Sequence, residues 1–122
     1  MPHVVIADDD YGVLYLVAIL VQRLGWTSDL VSNGVEAWEK VQQIVPDLVV
    51  SDIDMPGMNG LDLLRAIKSS PNLAHIPVVL MSSPDNEPEA RAAGCDAFVA
   101  KPFGGQTILT LLPQLLPPEN SN

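Results

Sequence analysis

The sequence predicts a doubly wound α/β domain, a parallel sheet covered by helices on both faces. Five short runs rich in Val, Ile, Leu and Ala recur along the chain, each followed by a stretch with helical spacing. The runs are apolar almost throughout and do not alternate, as expected of strands buried on both faces. Right-handed crossovers between such strands distribute the helices over the two faces. The length agrees: 122 residues make one domain, and two would each bury too small a core.

The elements follow in order. His3-Val4-Val5-Ile6-Ala7 is a strand running into Asp8-Asp9-Asp10, and residues 12–24 form a helix stopped by Gly25. Residues 26–31 are a weaker strand, placed at an edge. Ser32-Asn33-Gly34 turns the chain, and the helix from Val35 ends before Pro46. Residues 47–51 are a strand leading to Asp52, residues 55–60 a loop, and residues 61–68 a helix closed by Ser69-Ser70-Pro71. Residues 77–82 are the fourth strand, residues 87–93 a short helix ending at Gly94, and residues 97–100 the fifth strand. Residues 105–116 are helical in pattern, with Pro113 expected to kink or end them. The domain is drawn over residues 1–117, with 118–122 a tail or the start of a linker.

Composition excludes several classes of function. Six basic residues stand against fifteen acidic ones, a net charge of -9. Neutralising nucleic-acid phosphates or anionic lipid needs a basic face, so no direct nucleic acid or membrane partner is expected. No apolar run reaches the ~18 residues of a membrane span. The first ten residues lack the basic start and apolar stretch of a secretory signal. A single cysteine, Cys95, forms no internal disulfide, which fits a reducing, cytoplasmic location.

Ligands of open α/β sheets bind beyond the carboxyl ends of the strands. That rim collects Asp8 and Asp9 from the first strand, Asp52 from the third, Ser82 from the fourth and Lys101 from the fifth. Three carboxylates a few Å apart raise one another's pKa values, and a divalent cation removes the conflict. Hard oxygen ligands with room for water and phosphate suit Mg2+. A carboxylate can attack phosphorus to give an aspartyl-phosphate. Mg2+ and a lysine would stabilise the charge on the transferring group, and a serine hydroxyl could donate to it. The rim therefore reads as a phosphoryl-accepting site.

Asp8-Asp9, the stretch Ser51-Asp52-Ile53-Asp54-Met55-Pro56-Gly57-Met58-Asn59-Gly60, the strand over 77–82 and Lys101-Pro102-Phe103 together resemble the receiver domain of two-component response regulators. The likeness extends over residues 3 to about 116 and is to the single-domain, chemotaxis-type regulators in particular. It implies a flavodoxin-like fold with strand order 2-1-3-4-5. It implies that Asp52 is the phosphoacceptor and a metal ligand. Asp9 would bind Mg2+ directly, Asp8 would act close by through water, and Asp54 would lend its backbone carbonyl. Lys101 would pair with the carboxylates and then with the phosphoryl group. Ser82 takes the switch hydroxyl position and Phe98 the aromatic one that turns inward with it. The Lys101–Pro102 bond is expected to be cis. The implied partners are a sensor histidine kinase or histidine phosphotransfer protein as donor and a downstream output protein. The domain would catalyse only its own modification.

Three features depart from that pattern. The stretch from Ser82 to Lys101 is short, and Pro84 and Pro88 fall in it, so the fourth helix should be shortened or shifted. The positions that tune phosphoryl lifetime in the family are Asp54 and Pro84 here. Pro84 has no side-chain donor to orient a water, which predicts slow self-dephosphorylation. The first helix is apolar on two sides. Val13, Leu16, Val17, Leu20, Val21 and Leu24 form the expected core stripe. Leu14, Tyr15, Ala18 and Ile19 form a second one around Gln22. This second stripe is read as a docking surface for a phosphotransfer helix, or for a second copy in a homodimer. Leu109 and Leu111 raise the same question on the last helix.

The remaining polar and aromatic residues have plainer readings. Asp10 caps the first helix, Cys95 is a small packed residue, Trp26 and Trp38 are core aromatics, and His3 and His75 are given no role. Two other functions compete. Asp52-Ile53-Asp54 resembles the Asp-x-Asp motif of Mg2+ phosphatases of the haloacid dehalogenase type, although Asp8-Asp9 has no place in that scheme. A receiver-like module that interacts without phosphorylation is the other.

Overall fold

The computed structural model describes residues 1–116. Strands β1 (His3–Ala7), β2 (Thr27–Val31), β3 (Leu48–Asp52), β4 (Val78–Ser82) and β5 (Ala97–Ala100) pair in parallel in the order β2-β1-β3-β4-β5. Helices α1 (Tyr11–Arg23), α2 (Gly34–Ile44), α3 (Gly60–Lys68), α4 (Glu87–Ala92) and α5 (Gly105–Gln114) connect and follow them. The expected order and alternation hold. The tail assigned to residues 118–122, and Pro117 before it, lie outside the described residues.

Two apolar clusters sandwich the sheet. Val5, Ala7, Val49, Val78 and Leu80 pack with α2, α3 and Ala90 of α4 on one face. Val4, Ile6, Leu48, Val50, Val79 and Met81 pack with α1 and α5 on the other. Burial on both faces is why these strands carry apolar residues without alternation. β2, at the edge, is only partly covered. Three helix starts are capped by side chains that accept backbone N–H groups left unpaired at a helix N-terminus. Asp10 accepts from Gly12, Asn33 from Glu36 and Asn59 from Asp62.

The structure corrects the phase of α1. Leu14 is 3% exposed and belongs to the core, whereas Leu16 is 40% exposed. Val17, Leu20 and Val21 of the expected core stripe are buried and set the covered arc of the helix. At ~100° per residue Leu14 lies about 20° beyond Val21 and Leu16 about 40° beyond Leu20, so Leu14 stays nearer the covered arc. Tyr15 and Ile19 are exposed as expected, Ala18 is half-buried, and Tyr11 joins them by stacking on Tyr15 at 6.2 Å. Leu109 and Leu111 are half-buried against the α1–α5 cluster, and Leu111 also borders a groove with Gln106, Thr107, Thr110 and Gln114.

Pro113 falls in the last turn of α5, which ends one residue later. The shortened fourth helix is six residues long, preceded by a 3-10 turn over Pro84–Asn86. His3, given no role from the sequence, ties β1 to the edge strand: its ring nitrogens lie 2.6 Å from Thr27 Oγ1 and 2.7 Å from Asp29 Oδ2. Trp26, Trp38 and Cys95 are half-buried at the margins of the two clusters.

Candidate functional site

The parallel sheet brings the carboxyl ends of β1, β3, β4 and β5 to one rim. Asp8 leaves β1 fully buried. Its Oδ1 accepts the Asp10 N–H at 2.9 Å, and its Oδ2 accepts from Lys101 Nζ at 2.9 Å. The same ammonium lies 3.2 Å from Asp52 Oδ1 at the end of β3. Lys101 is held by its own N–H, which donates to the Ser82 carbonyl at 2.7 Å, and the Lys101–Pro102 bond is cis. Asp9 stands exposed at the mouth, and carboxylate oxygens of Asp8, Asp9 and Asp52 lie within 4.8 Å of one another. Asp10 is the α1 cap, as read from the sequence.

One ammonium faces three carboxylates, and the excess is visible in Asp52. Burial, chiefly, and the Asp8 charge push its carboxyl up to about 6, although Lys101 pulls it down. Burial also opposes the charge on Lys101. The Asp8 hydrogen bond and the charges of Asp52 and Asp8 outweigh it and hold the ammonium above its ordinary value. The donor set fits a small dication: hard oxygens only, crowded, net negative, and open to solvent on the Asp9 side.

The loop after Asp52 is fixed by close packing. The Ser51 hydroxyl donates to the Asp52 carbonyl at 2.8 Å, and the Gly60 N–H donates to the Ile53 carbonyl at 2.8 Å. A Cβ on Gly60 would run into the Asp52 carbonyl oxygen, so only glycine lets α3 start this close to β3. Asp54 stays exposed in this loop. Ser82, 2% exposed, ends β4 beside β3. Phe98 pairs with Leu80 across β4–β5 and is half-buried against the α2–α3–α4 face.

A family model described as the response regulator receiver domain matches residues 4–113. The chain belongs to that family. This receiver is 33% identical over 109 residues to chemotaxis protein CheY of Pseudomonas aeruginosa, covering 86% of this chain and 88% of that one. It is 35% identical over 110 residues, 88% of this chain, to the gliding motility regulatory protein of Myxococcus xanthus, but spans only 14% of that protein. Several of the relatives it matches are longer in this way, and it spans about half the length of two others. Among solved structures, chemotaxis response regulator CheY4 of Vibrio cholerae superposes with a TM-score of 0.87 at 28% identity, over 95% of this chain and 99% of that one. The family match leaves the haloacid dehalogenase reading without support.

The receiver rim unites Asp8, Asp9, Asp52 and Lys101 as expected, with Ser82 on the neighbouring strand end. Of the four residues assigned to the first-helix surface, Tyr15, Ala18 and Ile19 border a groove of about 550 Å³ with Gln22, Trp26, Thr27 and Ser28; Leu14 does not. The sequence reading missed Asn86, whose side-chain amide donates to Ser82 Oγ at 2.7 Å. The only signal was an Asn in a Pro-Asp-Asn turn. The spacing 82 to 86 carries no meaning until that turn is known to be 3-10. Among the described residues no helix is long and apolar enough to cross a membrane.

Proposed function

We propose that this receiver takes a phosphoryl group onto Asp52 from a phosphohistidine on a sensor kinase or phosphotransfer protein, and controls an output partner by the resulting change of shape. The observation that carries this is the convergence of Asp8, Asp9 and Asp52 within 4.8 Å, with Lys101 bridging Asp8 and Asp52. Asp8, Asp9 and Asp52, with the Asp54 backbone carbonyl, would hold Mg2+, which when bound neutralises these carboxylates and the phosphoryl oxygens.

The chain's own residues do the rest. With its carboxyl at about 6, Asp52 is largely ionised at neutral pH. One of its oxygens bonds to phosphorus while the P–N bond of the donor breaks, and the electron pair of that bond returns to the donor imidazole. The Lys101 ammonium, already 3.2 Å from Asp52, follows the negative charge onto the phosphoryl oxygens. The Ser82 hydroxyl donates to another of these oxygens, and Phe98 moves inward behind it. The domain turns over no other substrate. Tyr15, Ala18 and Ile19, with Tyr11, form the face against which the donor docks, and the exchange takes place in the cytoplasm. The domain is drawn over residues 1–117.

Incubation with acetyl phosphate and Mg2+, followed by intact mass, tests the central claim. One phosphoryl group should be gained by the wild type and not by Asp52→Asn. Equal labelling of the variant would overturn it. Turnover of generic phosphate esters would restore the phosphatase reading.

A further inference from the structure

We infer that Asn86 is a positioning residue for Ser82: its amide donates to the Ser82 oxygen and leaves the hydroxyl proton for the phosphoryl group on Asp52. The inference rests on the reading of Asp52 given above.

The geometry sets this contact apart from a chance surface bond. Ser82 Oγ is buried and receives Asn86 Nδ2 at 2.7 Å. Asn86 stands at the N-cap of α4, where an Asn side chain ordinarily accepts N–H groups of the helix it precedes. Here its side chain makes no such bond and turns back to β4 instead. Pro84 shapes that return. It opens the 3-10 turn that closes with the Asn86 N–H on the Ser83 carbonyl at 3.1 Å. With φ restricted at Pro84, the turn carries residue 86 back over residue 82.

A hydroxyl has one proton and two lone pairs. An amide N–H occupies a lone pair and cannot take the proton, so the proton stays available to another acceptor. A hydroxyl that is itself accepting becomes a better donor, because successive hydrogen bonds polarise one another. The Asn86–Ser82 pair is thus a short relay whose donor end serves the phosphoryl oxygen. The same link places the first residues of the α4 segment in direct contact with the group that senses phosphorylation.

The test is a double-mutant cycle on phosphoryl lifetime. Wild type, Asn86→Ala, Ser82→Ala and the double variant are loaded with acetyl phosphate and Mg2+. They are then freed of donor and followed by intact mass. Losing one hydrogen bond should shorten the half-life of Asn86→Ala roughly two- to tenfold. In the Ser82→Ala background the same substitution should change nothing further. Asn86→Asp should shorten it more than Ala, because a carboxylate accepts the Ser82 proton and adds negative charge beside the phosphoryl group.

A purely structural role for Asn86 would shorten lifetimes equally in both backgrounds, and that result would overturn the inference. So would unchanged lifetimes in both Asn86→Ala and Asn86→Asp. Absence of labelling on wild-type Asp52, from acetyl phosphate and from a phosphohistidine donor alike, would instead defeat the reading of Asp52 and this inference with it.

Discussion

Asp52→Asn should make the metal-free protein more stable, although it removes the group proposed to carry the chemistry. The native state holds Asp52 at about 6, against 3.8 for a free carboxyl, chiefly because it is buried and because Asp8 is close. Ionising it in the folded protein at neutral pH therefore costs about 3 kcal/mol relative to the unfolded chain. The open mouth on the Asp9 side screens part of this, leaving about 1–2 kcal/mol. Asn keeps the shape and an acceptor for Lys101 and carries no charge. Lys101 also retains Asp8 at 2.9 Å.

The sign with pH follows from the raised value. Above about pH 6 both states are deprotonated and the full penalty acts. As pH falls from about 6 towards 4, the native state takes up the proton first and the penalty disappears. Calorimetry in EDTA at pH 7.5 should show the midpoint of Asp52→Asn roughly 3–10 °C above wild type. The gap should shrink at pH 4.5. Mg2+ should raise the wild-type midpoint and have much less effect on the variant. A variant midpoint at or below wild type at pH 7.5, or a gain independent of pH, would refute the argument that burial and like charge destabilise this carboxylate.

Other expectations follow from single positions. Gly60→Ala places a methyl against the Asp52 carbonyl oxygen, so it should cost about 1–3 kcal/mol in denaturant unfolding and slow uptake from acetyl phosphate. Val45, a β-branched residue at φ 45, ends α2 in the left-handed region, and Val45→Gly should stabilise by about 1 kcal/mol in the same assay. Pro84→Glu should shorten the phosphoryl half-life measured by intact mass, since a carboxylate there can orient water. An unchanged half-life would refute the expectation that Pro84 slows hydrolysis. Tyr15→Glu with Ile19→Lys, both exposed, should leave folding and acetyl phosphate labelling intact while lowering transfer from a phosphohistidine donor at least tenfold. Unchanged transfer would dismiss that face as the donor dock, and a change of oligomeric state alone would mark a homodimer surface.

The strands and the composition of the rim were legible in the amino-acid order. Apolar runs such as Val4 to Ala7 have no soluble alternative to burial on two faces, and parallel strands deliver their carboxyl ends to one side. Asp8, Asp9, Asp52, Ser82 and Lys101 could therefore be grouped before any contact was known. Tertiary structure alone decided what each group experiences. Leu14 and Leu16 are equally apolar in the sequence, and the sheet and α5 determine which is covered. Lys101 meets Asp8 across 93 positions of chain, and Asn86 reaches Ser82 only because a 3-10 turn folds back over β4. Periodicity reports on neighbours along the chain. Burial, charge balance and the fate of a hydroxyl proton depend on neighbours in space, which exist only once the whole domain has closed.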